Sequence, residues 1–372
     1  MKKSEKDYQR MVIKIGASLL TDPGVVDRLV EQIAVLINQK RQVILVSSGA
    51  IACGMGILGL KTRPTKLDHL QAAASLGQSE LMELYRRRFS AFNINCAQIL
   101  LTWEDFDDRS RYLNAKNTLQ VLLKWGSLPI INENDTVSVD EIRFGDNDRL
   151  SALVANLVEA DMLIILSDVE GLLNPKTSEV IRVVNKITPK IERLASSSDK
   201  AISVGGMKTK LSAARIAMES QIPCLVIDGK KSGALQLALS EPLNAGTLFL
   251  PAEARIPARK KWLIFCSRPK GKIRVDNGAK AALLTGKSLL SVGVVGSEGN
   301  FTPGETVEVV DKDGVAFARG RVNFSPQDLE RIKGKQKMKE VIHRDNLVII
   351  DRDVSCANRR SVPSLCEGRF WR

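Results

Sequence analysis

Three short turns and one long polar stretch hold most of the side chains that could do chemistry. Lys14 lies inside an apolar run, "VIKIGAS", two residues before Gly16. Lysine is rarely buried without a partner, so either Lys14 has a task there or the strand is an edge with the amine in solvent. "VSSGAIACG" puts Ser47, Ser48 and Gly49 at a strand-to-helix turn, where backbone N–H groups attract anions. "VGGMKTK" sets Gly205 and Gly206 ahead of a helix with Lys210 in its first turns. "INENDTVSVDEIRFGDNDRLSA", residues 131–152, packs six acids (Glu133, Asp135, Asp140, Glu141, Asp146, Asp148) into sixteen residues, along with Asn132, Asn134 and Asn147. Loops of this length are uncommon unless they are functional or disordered. The D-x-D-x-D-G spacing of a chelating loop is absent, and an Asn/Asp-rich surface hairpin is the plain alternative. A Walker A spacing does not occur either. Taken together, two glycine turns for phosphate, two lysines for charge and a loop able to hold an amino acid suggest phosphoryl transfer.

These residues need strands and helices to position them. "RMVIKIG", "QVILVSSGA", "NCAQILLT", "LPIINEN", "ADMLIILSDVEGL" and "PCLVIDG" are short apolar runs that read as strands. Between them, "VVDRLVEQIAVLINQK", "HLQAAASLGQSELMELYRRRF", "RYLNAKNTLQVLLKW", "LSALVANLVEA" and "MKTKLSAARIAMESQ" repeat apolar residues at helical spacing. Such alternation predicts an α/β unit with a mostly parallel sheet covered by helices on both faces. In these sheets ligands bind beyond the carboxyl ends of the strands, which is where the glycine and serine turns fall. Beyond residue 255 the texture changes to short β-branched strands, many glycines and Asp-Gly turns, which predicts a small β-rich barrel or sandwich.

Composition narrows the function. A chain of 372 residues with 44% hydrophobic content suits two soluble domains. Residues 1–250 carry 31 Lys and Arg against 28 Asp and Glu, net +3, and residues 251–372 carry 24 against 14, net +10. That asymmetry supports a boundary near residue 255, and it could mark a nucleic-acid surface or a lysine-solvated face. Cys53, Cys96, Cys224, Cys266, Cys356 and Cys366 are scattered without a C-x-x-C pair, and there are two histidines. The expectation is reduced thiols and no protein metal site. No apolar run approaches a membrane span, and the first residues lack the apolar core and cleavage site of a signal peptide. A cytoplasmic protein without membrane contact is expected.

The order of "VIKIGAS", "VSSGAIA", "QAAASLGQSELM", "LLTWEDFDDRSRYLNAKNTL", "INEND…FGDND", "LSDVEGL" and "GGMKTKLSAARIA" resembles the amino acid kinase family along nearly the whole chain. "GNFTPGETVEVVDKDGVAFARGRVNF" resembles a PUA domain. The "INEND…FGDND" element is similar to that of the glutamate-phosphorylating branch, and kinases acting on aspartate, acetylglutamate or UMP lack it. The resemblance implies an amino acid kinase domain over residues 1–258, a PUA-like domain over 259–355 and a disordered tail over 356–372. It implies ATP-dependent phosphorylation of the L-glutamate side chain to L-glutamyl 5-phosphate, the first step of proline synthesis, with Mg2+ accompanying the nucleotide. It also implies feedback inhibition by proline and a homo-oligomer built through the kinase domain.

Residue by residue, Lys14 and Lys210 match phosphate-contacting lysines, and Asp148 matches the acid that holds them. Ser48, Gly49, Asp135 and Asn147 match glutamate-binding positions. Gly16, Ser167 and Asp168, with Val204, Gly205, Gly206, Met207, Lys208, Thr209 and Lys210, match the ATP site. The chain departs from the family's frequent threonine at Ala17, Ser167 and Val204, and Val204 puts one nucleotide contact in doubt. Two rivals remain. One is an amino acid kinase for another carboxylate. The other is an RNA-binding protein that uses the basic second part, against which the lysine-rich, partly acidic "ERIKGKQKMKE" lacks the aromatics or arginine clusters of a nucleic-acid surface.

Overall fold

The computed structural model describes residues 8–138, 147–197, 206–251, 262–264, 267–333 and 339–350. The chain divides into two compact units, Met1–Arg255 and Ile256–Arg372. The boundary expected from the sequence, 258/259, falls among residues outside those described, as does the expected tail.

The first unit is built on eight strands: β1 (Arg10–Ile15), β2 (Gln42–Ser47), β3 (Cys96–Leu101), β4 (Leu128–Glu133), β5 (Met162–Ser167), β6 (Val183–Val184), β7 (Cys224–Asp228) and β8 (Gly246–Phe249). Their order across the sheet is β3-β4-β2-β1-β5-β7-β8-β6. From β3 to β7 every pairing is parallel. β8 runs antiparallel to β7, with Cys224 opposite Phe249. The central strands are near-continuous apolar runs because helices cover both of their faces. Lys14 is a buried charge among them, at the carboxyl end of β1 between Val46 of β2 and Ile165 of β5. The chain leaves β1 toward β2 on one side and reaches β5 on the other, so β1 lies where the strand order reverses, the usual place for a ligand crevice.

Helices α1 (Pro23–Asn38), α2 (Ala50–Ile57), α3 (Leu67–Ser90), α4 (Trp103–Asp107), α5 (Arg109–Lys124), α6 (Asp148–Leu157), α7 (Pro189–Ser197), α8 (Met207–Glu219), α9 (Ala234–Ser240) and α10 (Pro242–Ala245) complete this unit. Asp22 caps α1 by accepting from the Gly24 and Val25 N–H groups, and Val26, Leu29, Val30 and Ile33 bury the stripe that the sequence period predicts. α2 and α3 touch backbone to backbone. A Cβ on Gly77 would stand 1.8 Å from the Ala50 carbonyl oxygen, so this contact requires glycine and fixes α2, whose first turn faces the crevice.

The second unit contains β9 (Gly271–Val275), α11 (Asn277–Leu284), β10 (Leu289–Leu290), β11 (Val294–Gly299), β12 (Thr306–Val310), β13 (Ala316–Arg321), α12 (Pro326–Ile332), β14 (Glu340–Ile342) and β15 (Leu347–Ile349). Five of these strands form one sheet in the order β11-β9-β12-β13-β15, while β10 and β14 pair separately. Ile273, Val275, Phe301, Val307, Val309, Leu329 and Val341 form its own core. It is the β-rich unit expected from the glycine- and turn-laden sequence.

Candidate active site

Asp148, the first residue of α6, is fully buried, and two buried lysines meet it. The Lys14 Nζ lies 2.7 Å from Asp148 Oδ1 and the Lys210 Nζ 3.4 Å from Oδ2. The Thr209 hydroxyl donates to Oδ2 at 3.0 Å. These residues come from three elements: the end of β1, the start of α6 and the first turn of α8. The carboxylate gains from its place at a helix N-terminus. Holding two cations and an anion out of water costs several kcal/mol per buried ion. An anionic ligand at this point would offset that cost.

A cleft lies at the start of α2, lined by Ser48, Gly49, Arg63, Asn132, Glu133, Asp135 and Asn147 among others. Gly49 opens α2 with φ of 113°, a left-handed conformation that favours glycine, and no side chain caps the helix. The Ser48 hydroxyl is buried and has no hydrogen-bond partner among the described residues. Asn147 is held from two sides, its Nδ2 donating at 2.6 Å to the Ser47 carbonyl and at 2.6 Å to Asn132 Oδ1. Asn132 in turn donates to Gln78 Oε1 at 2.7 Å and accepts from the Glu133 N–H. With both of its amide hydrogens used, Asn147 is left with its carbonyl oxygen as an acceptor. The Ser47 hydroxyl bonds the Tyr85 phenol at 2.9 Å. Burial pushes that phenol above its usual pKa, and the Ser47 hydrogen bond opposes the shift. An uncapped helix start, an unpartnered hydroxyl and two carboxylates suit a small zwitterion with an anionic arm.

The remaining sequence-derived positions cluster less tightly. Ser167, buried at the end of β5, donates to the exposed Asp168 at 3.2 Å. Gly206 precedes α8 in an extended conformation without a side-chain cap, so Met207, Lys208, Thr209 and Lys210 form an open helix start. Val204 and Gly205 lie outside the described residues, as do Asp140, Glu141 and Asp146. The Gly16 N–H is engaged by the Leu166 carbonyl at 3.3 Å, so it is not free for a phosphate. The small residue leaves space instead: a Cβ there would come 3.9 Å from the Lys14 Nζ. Sequence reading missed Arg63 as a cleft residue, and it took Asn132 and Glu133 only as part of the polar stretch at the carboxyl end of β4, where ligands bind, without giving either a role. Arg63, in the loop between α2 and α3, carries no local signal.

The profile of the amino acid kinase family matches residues 9–228, and that of the PUA domain matches residues 271–344. The chain belongs to the amino acid kinase family and carries a PUA domain. Its relatives include a glutamate 5-kinase of Moorella thermoacetica, 45% identical over 365 residues that cover 92% of this chain and 96% of the relative. A glutamate 5-kinase of Geobacter sp. (strain M21) is 44% identical over 368 residues, covering 93% and 98%. One from Thermoanaerobacter sp. (strain X514) is 44% identical over 367 residues, covering 92% and 98%.

Proposed function

We propose that this protein transfers the γ-phosphoryl group of ATP to the side-chain carboxylate of L-glutamate, giving L-glutamyl 5-phosphate and ADP, the entry step to proline. The observation that carries the reading is the pair of buried lysines gathered on Asp148 at the sheet's switch point, in a chain whose full-length relatives are glutamate 5-kinases. A carboxylate is already ionised at pH 7, so the attacking oxygen needs no general base. The difficulty is bringing one anion against another, and positioning with fixed positive charge addresses it.

In this reading Lys14 and Lys210 neutralise the transferring phosphoryl group, while Asp148 fixes their geometry. Ser48, Gly49, Asp135 and Asn147 hold glutamate, with Asp135 facing its α-ammonium. Ser167 and Asp168 and the segment Val204–Lys210 hold the nucleotide, and Gly16 leaves room for it beside Lys14. Mg2+ would arrive with ATP, since it usually binds through one or two carboxylates plus substrate phosphates. Asp148 is already occupied by Lys14, Lys210 and Thr209, so the phosphates would supply most of its ligands. Feedback inhibition by proline, a homo-oligomer through the kinase unit and a cytoplasmic location belong to the same reading. No helix among the described residues is long and apolar enough to cross a membrane.

The test is ATP turnover with a panel of amino acids in the presence of hydroxylamine, which traps acyl phosphates. Hydroxamate formed with L-glutamate, and not with aspartate or N-acetylglutamate, supports the assignment. Turnover with another carboxylate and none with glutamate would replace it.

A further inference from the structure

Helix α3 makes three polar contacts that the assigned site residues leave without a purpose, and they fall at one interval. Gln71, Gln78 and Tyr85 stand seven residues apart, about two turns, so they share one face of the helix. Each reaches a different segment around the cleft. Gln71 Nε2 donates to the Ser138 carbonyl at 3.3 Å, and Gln78 Oε1 accepts from Asn132 Nδ2 at 2.7 Å. The Tyr85 phenol bonds the Ser47 hydroxyl at 2.9 Å. Gly77, beside Gln78, packs against the Ala50 carbonyl at the start of α2. The middle of α3 is thereby pinned to the turn that carries Ser48 and Gly49.

The contact at Gln78 continues into the cleft. Asn132 Oδ1 accepts from Asn147 Nδ2 at 2.6 Å, and the Ser47 carbonyl accepts from the same nitrogen. Asn147 stands where asparagine commonly caps a helix with its side-chain oxygen, yet its side chain makes no cap bond to α6. It is turned to β2 and β4 instead, with its nitrogen engaged and its carbonyl oxygen left to accept from a ligand. A side-chain amide can turn over and exchange its oxygen for its nitrogen, so this polarity has to be imposed by neighbours. Gln78 draws the Asn132 nitrogen, and the Asn132 oxygen then falls to Asn147 and to the Glu133 N–H.

We propose that Gln78 is a positioning residue for amino acid recognition, acting through Asn132 to hold the Asn147 oxygen toward the substrate's ammonium group. The inference rests on the proposed glutamate phosphorylation. The Glu133 N–H still holds Asn132 when Gln78 is changed, so the effect is moderate and falls on binding.

The experiment follows hydroxamate formation with glutamate and ATP varied, in the wild type, Gln78→Met, Gln78→Glu, Asn147→Ala and the double variant Gln78→Met/Asn147→Ala. Melting curves verify the fold. Gln78→Met keeps the side chain's length and removes the acceptor. It should raise the glutamate KM about three- to tenfold, the scale of one neutral hydrogen bond, with kcat and the ATP KM changed by less than about twofold. Gln78→Glu keeps an acceptor for Asn132 and should recover part of that loss, which a packing role alone would not do. In the Asn147→Ala background, Gln78→Met should change the glutamate KM by less than about twofold, because the group it positions is gone. Gln78→Leu, which also lacks an acceptor, replaces Gln78→Met should that variant not fold. An unchanged glutamate KM in a folded acceptor-free variant overturns the inference, and so does an undiminished effect in the Asn147→Ala background. Both results leave the proposed reaction standing. A wild type that forms no hydroxamate with glutamate overturns the reaction itself, and the inference with it.

Discussion

The two halves of the site are built from different physics. Around Asp148 the protein has placed charge in advance: two buried lysines and a half-buried hydroxyl converge on one buried carboxylate. Around Asn147 it has placed shape. Amides from β4 and the residue before α6 bond one another, the Ser47 backbone and Gln78, with Glu133 buried beside them, Asp135 half-buried and Arg63 exposed. Buried, preorganised charge acts most strongly on a transition state whose charge is spreading. An exposed pocket with fixed hydrogen-bond directions acts on the ground state and selects what binds. Substitutions around Asp148 should therefore fall on turnover, and substitutions in the cleft on the glutamate KM.

The largest expected effect follows from Asp148→Asn. The variant keeps the shape but takes the shared carboxylate charge from the buried Lys14 and Lys210, a loss of about 3–5 kcal/mol by comparison with other broken buried pairs. Turnover should fall by about 10³ or more, since both lysines lose their anchor. The melting temperature should drop, and saturating ATP should restore part of it by supplying the missing negative charge. A normal melting temperature with unchanged turnover would mean that the cluster does not couple charge to fold.

A smaller effect tests the support beneath the cleft. In Tyr85→Phe the phenol that bonds Ser47 is gone, at a cost of about 0.5–1.5 kcal/mol. Burial raises the Tyr85 pKa in the folded state, so its stabilisation is whole below about pH 10, the usual phenol value. It is lost as pH rises further. Melting curves taken from pH 9 to 11 should show the wild type losing its advantage over Tyr85→Phe as pH increases. A constant gap between the two proteins would remove the phenol from the alkaline transition.

The smallest effect is expected from removing the PUA unit. Every residue assigned to chemistry lies between Lys14 and Lys210, and the second unit has its own core. Residues 1–258 should melt cooperatively and still form glutamyl hydroxamate. A folded fragment that is inactive would move part of the site into the second unit.

Much of this was legible in the residues. An apolar strand interrupted by lysine, with glycine two places on, marked β1 and its cation, because a buried charge needs a reason. The strand-helix alternation gave the parallel core and its carboxyl-end crevice. The antiparallel turn-back of β8 was not legible: "GTLF" is too short for a period, and its direction is set by the turn around α10 and by pairing with β7. Nor did spacing alone connect Asp148 with Thr209, which are sixty-one positions apart and meet because α6 and α8 pack together. The polar stretch read as one acidic unit. Its described members serve two ends: Asp148 turns to the lysines, while Glu133, Asp135 and Asn147 line the cleft. Arg63 was silent because a loop arginine looks the same whether it faces solvent or substrate.

The measurement that tests this division most directly is steady-state kinetics on Lys210→Ala and Asp135→Asn, with ATP and glutamate both varied. In Lys210→Ala, kcat should fall about 10²–10³-fold, the usual loss for one preorganised charge donor, while the glutamate KM moves little. Asp135→Asn should raise the glutamate KM by about 10- to 100-fold, the scale of a lost charge-assisted bond, with ATP affinity nearly unchanged. The reverse pattern, a KM effect from the lysine and a turnover effect from the aspartate, would contradict the account.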